Sequence, residues 1–150
     1  MKPAVVFMVL GVLGIGLAAG LIINYNLPLS MGDPSPTQPI AFSHKLHAGE
    51  NEIDCLYCHR YTDVSQVAGI PDVESCINCH RFVARDKPEV KKVLDFFERK
   101  EPIPWVKVHD LPDHAYFPHK MHINAGVACD FCHGNVAEME KIKRVSSLKM

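Results

Sequence analysis

Cys55-Leu56-Tyr57-Cys58-His59 is the first of three stretches on which the reading of this chain turns. The others are Cys76-Ile77-Asn78-Cys79-His80 and Cys129-Asp130-Phe131-Cys132-His133. Each reads C-x-x-C-H, the attachment signature of c-type haem. Two thiols are spaced to add across the two vinyl groups of one porphyrin, and the next residue sets an imidazole beneath the iron. The motifs use all six cysteines of the chain. Cys-x-x-Cys pairs also build zinc ribbons, and even numbers of extracytoplasmic cysteines also build disulfides. A ribbon takes two knuckles per tetrahedral site, so three knuckles leave one over. Neither alternative needs a histidine after each second cysteine. Histidine is 9 of 150 residues, so composition would place one after all three pairs on the order of twice in ten thousand. The motifs therefore predict three covalent haems c, held by Cys55, Cys58, Cys76, Cys79, Cys129 and Cys132, with His59, His80 and His133 as proximal ligands.

Outward from the motifs, the N-terminal end reads as a membrane anchor. Ala4 to Ile23 are twenty residues of apolar or glycine type without a charge, enough for a bilayer-crossing helix of about 20 residues. A secretory signal has a shorter apolar region and an A-x-A-like cleavage site; Ala18-Ala19-Gly20 lies inside the run, so an uncleaved anchor is the expectation. Lys2 precedes the run and no Lys or Arg follows it until Lys45. The positive-inside rule then puts the N-terminus in the cytoplasm and the rest on the periplasmic face of a bacterial cytoplasmic membrane, the side where c-type haem is attached. A formal net charge of −1 excludes a strongly basic nucleic-acid binder. With eleven prolines the extramembrane part can make only a modest core, and porphyrins would supply much of its apolar surface.

The chain divides by pattern into an anchor (1–26), a Pro-rich linker (27–41), a dihaem unit (42–85), a helix with a Pro linker (86–104) and a second haem unit (105–150). Pro28, Pro34, Pro36 and Pro39 make the first linker extended and fairly stiff. Phe42-Ser43-His44-Lys45-Leu46-His47 and Phe117-Pro118-His119-Lys120-Met121-His122 both read F-x-H-K-x-H and both precede a haem motif, which marks one structural unit used twice. Asp86-Lys87-Pro88-Glu89 resembles a capping box with Asp86 as N-cap. Val90, Val93, Leu94 and Phe97 follow at helical spacing. A helix is therefore predicted from about Lys87 to Lys100, stopped by Pro102 and Pro104. Trp105 reads as a packing residue. A weaker helix is predicted to start near Asn135-Val136-Ala137-Glu138.

Beyond the proximal ligands, six histidines remain: His44, His47, His109, His114, His119 and His122. Imidazole is a common iron ligand, and the two H-x-x-H pairs are the first candidates for the distal positions. His109 is a further candidate and His114 a weaker one. Met121 and Met139 are substitutes that would raise the potential of their haem. Rings spaced by three can point at different haems. His44 then serves the haem at Cys55 and Cys58, His47 the haem at Cys76 and Cys79, and His119 the haem at Cys129 and Cys132. His122 is left without an iron.

F-x-H-K-x-H followed by C-x-x-C-H resembles the class III multihaem cytochromes c. A closer resemblance covers nearly the whole chain. It runs through Pro39 to His47, Ile53 to His59, Trp105 to Asp113 and Val127 to Gly134. These stretches are similar to the membrane-anchored multihaem cytochrome subunit of alternative complex III and of related quinone-oxidoreductase complexes. The fold this implies is a small, mostly irregular and α-helical multihaem cytochrome c of class III type behind one N-terminal transmembrane helix, with little or no β-sheet. Members of that family carry five or six haems. Ser146-Ser147-Leu148-Lys149-Met150 resembles the family segment just before another haem motif. An incomplete version of a longer protein, or a shortened homologue, is therefore expected, with His122 and His109 as ligands of haems attached further on.

The function so implied is electron relay in a quinol-oxidising or quinone-reducing complex, respiratory or photosynthetic. The implied partners are iron–sulfur and multispanning quinone-site subunits and a soluble cytochrome or similar redox carrier. Bis-histidine ligation leaves no open iron position, so this chain alone is not expected to catalyse. The rivals are a stand-alone anchored trihaem carrier and a small membrane-anchored quinol dehydrogenase. The latter needs a haem without a distal side chain, against which the surplus of histidines speaks.

Overall fold

The computed structural model describes residues 3–26, 33–112 and 114–147. Residues 1–2 (Met1 and Lys2), 27–32 at the start of the Pro-rich linker, 113 and 148–150 lie outside the described residues. The chain divides into two units, Met1–Asp33 and Pro34–Met150.

Among its described residues the first unit contains one helix, α1 (Pro3–Asn26). Pro3 opens it, where the missing N–H takes away no hydrogen bond. The stretch Pro3–Ile23 has a mean hydropathy of 2.7 and is long and apolar enough to cross a membrane. Apolar side chains lie on every side of α1, so no face is marked for packing on a soluble core.

Among the described residues the second unit holds five short helices: α2 (Cys55–Cys58), α3 (Val73–His80), α4 (Pro88–Arg99), α5 (His119–Asn124) and α6 (Cys129–His133). A π-helical turn spans Lys45–Glu50 and a 3-10 turn spans Val136–Glu138. No strand occurs among the described residues. The mostly helical and irregular architecture behind one apolar helix is the one the sequence predicts. The region at Asn135 differs from expectation: one 3-10 turn forms there, and Met139 beyond it is already extended.

Helix α4 starts one residue later than the capping-box pattern suggests. Lys87 is the N-cap, Pro88 is the first helical residue, and no side chain caps the end. Glu89 does not reach back to an N-cap residue. Its carboxylate accepts from the Ala41 N–H at 2.7 Å and from Lys92 Nζ at 2.7 Å, so it ties the approach to the first histidine pair onto α4. At the far end Lys100 takes the left-handed conformation at φ 55°. The Lys100 N–H donates to Phe97 O and the Glu101 N–H to Phe96 O, the paired bonds of a Schellman motif. Along α4, Val90 and Val93 are buried. The aromatic that packs inward after them is Phe96 rather than Phe97. Phe96 is three residues on from Val93, so the buried line follows the i, i+3 row.

Helices α3 and α4 pack together over the main core. It comprises Ile40, Val73, Ile77, Val93 and Ile103, with Cys76, Leu94, Phe96 and Trp105 partly buried against it. That core is small and sits beside the second C-x-x-C-H motif. Around all three motifs large apolar side chains face outward, among them Tyr57, Tyr61, Val67, Phe82, Val83 and Phe131. Such a surplus of uncovered apolar surface fits a unit completed by apolar groups other than its own side chains.

Candidate haem-attachment sites

Each Cys-x-x-Cys pair occupies one helical turn. Cys55 and Cys58 bound α2, Cys76 and Cys79 lie in α3, and Cys129 and Cys132 lie in α6. Residues three apart share one face of a helix, so both thiols of a pair face the same side and all six are free. Local capping sets the turns. The Asp54 side chain accepts from the Leu56 N–H at 2.7 Å and starts α2. The Asp72 carboxylate accepts from the Ser75 N–H at 2.8 Å and starts α3. Hydrogen bonds from Ser75 hold the Asp72 carboxyl below its usual range.

The histidine after each motif is oriented by its other ring nitrogen. His59 Nδ1 meets Gly69 O at 2.8 Å and His80 Nδ1 meets Val83 O at 3.1 Å. Metal-bound histidines characteristically give that second N–H to a carbonyl or carboxylate, which fixes the tautomer and leaves Nε2 for the metal. Gly69 reaches His59 through a turn at φ +77°, where an added Cβ would lie 2.9 Å from the Tyr61 ring. Sequence reading did not find these carbonyls, because every residue supplies one and only the fold selects which.

The two F-x-H-K-x-H segments build the same local device. In the first, Phe42 stacks on His47 at 4.3 Å and meets His44 edge-on at 4.9 Å. In the second, Phe117 stacks on His122 at 4.5 Å and meets His119 edge-on at 5.0 Å. His47 Nδ1 contacts Ser43 O at 2.8 Å and His122 Nδ1 contacts Pro118 O at 3.1 Å, each four residues back. The phenylalanine of the repeat is thus a ring platform, and in both second histidines it is Nδ1 that meets the main chain. His119 Nδ1 contacts Gln66 O at 2.9 Å. The backbone N–H groups of His119 and Lys120 also bond Gln66 O and Ser65 O, so α5 is docked on the loop that follows the first motif.

Ring separations show which histidines face each other. His47 and His80 have centroids 6.0 Å apart. His119 and His133 are 6.3 Å apart with planes at 11°. Two imidazoles on opposite sides of one metal, each nitrogen about 2 Å from it, have centroids about 6 Å apart. Both pairs therefore have room for an iron between them. His44 lies by His59: burial first, then the fields of His59 and His47, push its pKa down to about 4. Its Nδ1 is buried without a hydrogen-bond partner.

The thiols place the three sites side by side. Burial and then the neighbouring Cys55 thiol, to which it is hydrogen-bonded, raise the Cys129 thiol. Burial and then Cys58 raise the Cys76 thiol. The thiols of the first motif are thus near a thiol of each of the other two motifs. His122 is exposed and no histidine ring faces it among the described residues. His109 lies 4.5 Å from His133 at 79° and is pushed down to about 4, first by burial and then by His133. His114 and Met121 are exposed. Met139 contributes its backbone, accepting from the Lys45 N–H at 3.0 Å.

Comparison with known proteins adds one relative and no family, since no family model matches the chain. Over 138 residues the chain is 28% identical to the menaquinone reductase multihaem cytochrome c subunit of Nitratidesulfovibrio vulgaris. The match takes in 85% of this chain and 66% of that relative, so the chain spans just under two thirds of the relative's length. That relative is, by its name, a multihaem cytochrome c of a quinone-linked oxidoreductase, the broad class that the sequence resembles.

Proposed function

We propose that this chain is a membrane-anchored multihaem c-type cytochrome that relays electrons as a subunit of a quinone-linked oxidoreductase. The observation that carries the reading is the pair of facing rings, His47–His80 at 6.0 Å and His119–His133 at 6.3 Å, each ending at the histidine of a C-x-x-C-H turn. Haem c, when bound, supplies one-electron chemistry at an iron whose potential its axial ligands tune. The protein's part is to hold and orient. Cys55 with Cys58, Cys76 with Cys79 and Cys129 with Cys132 anchor one haem each. His59 with His44, His80 with His47, and His133 with His119 would hold one iron each. The carbonyls of Gly69, Val83, Ser43 and Gln66 lock the rings. Cys58 lies near Cys76 and Cys55 near Cys129, so haems held at these motifs would be neighbours between which electrons could pass.

The wider assignment rests on the relative and on the resemblance to alternative complex III and related complexes. Electrons pass between menaquinol chemistry in multispanning partners, an iron–sulfur subunit and a soluble cytochrome carrier. Helix α1 anchors the chain with its N-terminus in the cytoplasm and the haem unit on the extracytoplasmic side. His122, built like His47 but facing no histidine ring among the described residues, would be the ligand of a further haem iron.

The purified holoprotein is expected to show a reduced c-type α band, about three haems per chain by pyridine haemochrome, and a low-spin signal in electron paramagnetic resonance. His47→Ala should convert one haem to high spin and leave the others low-spin. Absence of a Soret band would return the motifs to zinc. A high-spin signal in the wild type, together with quinol oxidation by the isolated chain, would make it a quinol dehydrogenase.

A further inference from the structure

The chain contains a single tryptophan, Trp105. Its ring packs against the core of Ile40, Val73, Ile77, Val93 and Ile103. Its Nε1 is buried and has no hydrogen-bond partner among the described residues. His44 Nδ1 and His109 Nε2 share that condition, but an imidazole nitrogen can donate or accept according to its tautomer. An indole N–H can only donate, so Trp105 needs an acceptor, and buried tryptophans ordinarily have one. The main chain on either side is already engaged. Ile103 O accepts from the Trp105 N–H at 2.8 Å. Gln38 takes both groups of Val106, with Nε2 donating to Val106 O at 2.8 Å and Oε1 accepting from the Val106 N–H at 2.9 Å. That clamp, with the core contact, fixes the segment from which the indole projects.

We propose that Trp105 is a haem-binding residue: its indole N–H donates to a propionate carboxylate of one of the haems. This rests on the haem reading above. A porphyrin fixed by its thioethers brings its propionates with it, and a carboxylate taken out of water needs donors from the chain. A hydrogen bond to an ionised acceptor is about twice as strong as one between neutral groups. Water is a poorer acceptor at this place. A water in a protein interior makes about 2–4 hydrogen bonds, and the core side chains beside the indole are apolar. The segment that carries Trp105 also reaches two of the attachment sites. Cys76 of the second motif packs on the same core, and His109, four residues on, lies 4.5 Å from His133 of the third. Hydrogen bonding around a haem is one of the levers by which a protein sets its potential. A donor to the propionate offsets negative charge that otherwise stabilises the oxidised iron, so Trp105 holds the potential of its haem up.

The test is Raman spectroscopy of the holoprotein, joined to redox titration resolved haem by haem. In ultraviolet resonance Raman the indole bands come from this one tryptophan. In the wild type its N–H marker band should have the position of a hydrogen-bonded indole, a readout that needs no variant. Trp105→Phe keeps an aromatic ring in the core and removes the N–H. One midpoint potential is then expected to fall while the others stay, with every haem still low-spin, and a propionate bending band should shift under visible excitation. A wild-type band at the position of a free indole N–H would overturn the proposal. So would a hydrogen-bonded indole whose replacement moves neither a propionate band nor a potential, because its acceptor would then be a water or another group. Failure of the haem reading itself would appear separately, as wild-type protein without a Soret band.

Discussion

Single residues decide whether an imidazole can serve as a ligand here, and they do so through the nitrogen that does not bind. His47, His59, His80, His119 and His122 each have Nδ1 against a main-chain carbonyl. The histidines were legible in the sequence as F-x-H-K-x-H and C-x-x-C-H. The carbonyls were not, because only chain folding brings Gly69 O to His59 or Gln66 O to His119. Asp72 shows the same economy at a helix end, since its carboxylate caps the helix that carries the second motif. Asp72→Ala is expected to destabilise the holoprotein by about 1 kcal/mol near neutral pH, measured by denaturant unfolding. Its folded-state pKa is lowered by Ser75, so its contribution is present above the usual carboxylate value and fades as pH falls through the lowered one. The gap between wild type and variant should therefore narrow in acid. A gap that stays constant down to pH about 2 would contradict the cap.

At the level of elements, the helix predicted over 87–100 forms as Pro88–Arg99, because its apolar stripe has α3 to pack against. Its start differs from the pattern for a physical reason. Pro88 has no N–H to cap, and the Glu89 carboxylate finds a better-placed donor in Ala41, a partner distant in sequence. Its end uses Lys100 in the left-handed region without a glycine. A side chain there is strained by about 1–2 kcal/mol, so Lys100→Gly should stabilise the unit by about 0.5–1 kcal/mol. A lower melting temperature for that variant would show that Lys100 has a role beyond the turn. The π-helical turn at Lys45–Glu50 was not foreseen. Its path brings Gly49 against Ala137 O so closely that a Cβ there would collide with it. That contact ties the first histidine pair to the segment after the third motif.

For the whole molecule, few apolar side chains are buried and many face outward beside the cysteine turns. A core of that size gives little with which to offset the entropy of ordering the chain. The unit is accordingly expected to fold with its haems. The holoprotein should melt cooperatively, while the chain made without haem attachment should show a broad transition and little fixed tertiary signal by near-ultraviolet circular dichroism. A sharp melt of the haem-free chain would show that side chains alone suffice. The sequence by itself determined the patterns: three C-x-x-C-H motifs, two F-x-H-K-x-H segments and an apolar run long enough for a bilayer. These are local patterns, set by spacing along the chain. Only the tertiary structure decided that His47 faces His80, that His119 faces His133, and that His109 stands beside His133. Those relations join residues far apart in sequence, and packing of the whole unit, not any local spacing, brings them within reach.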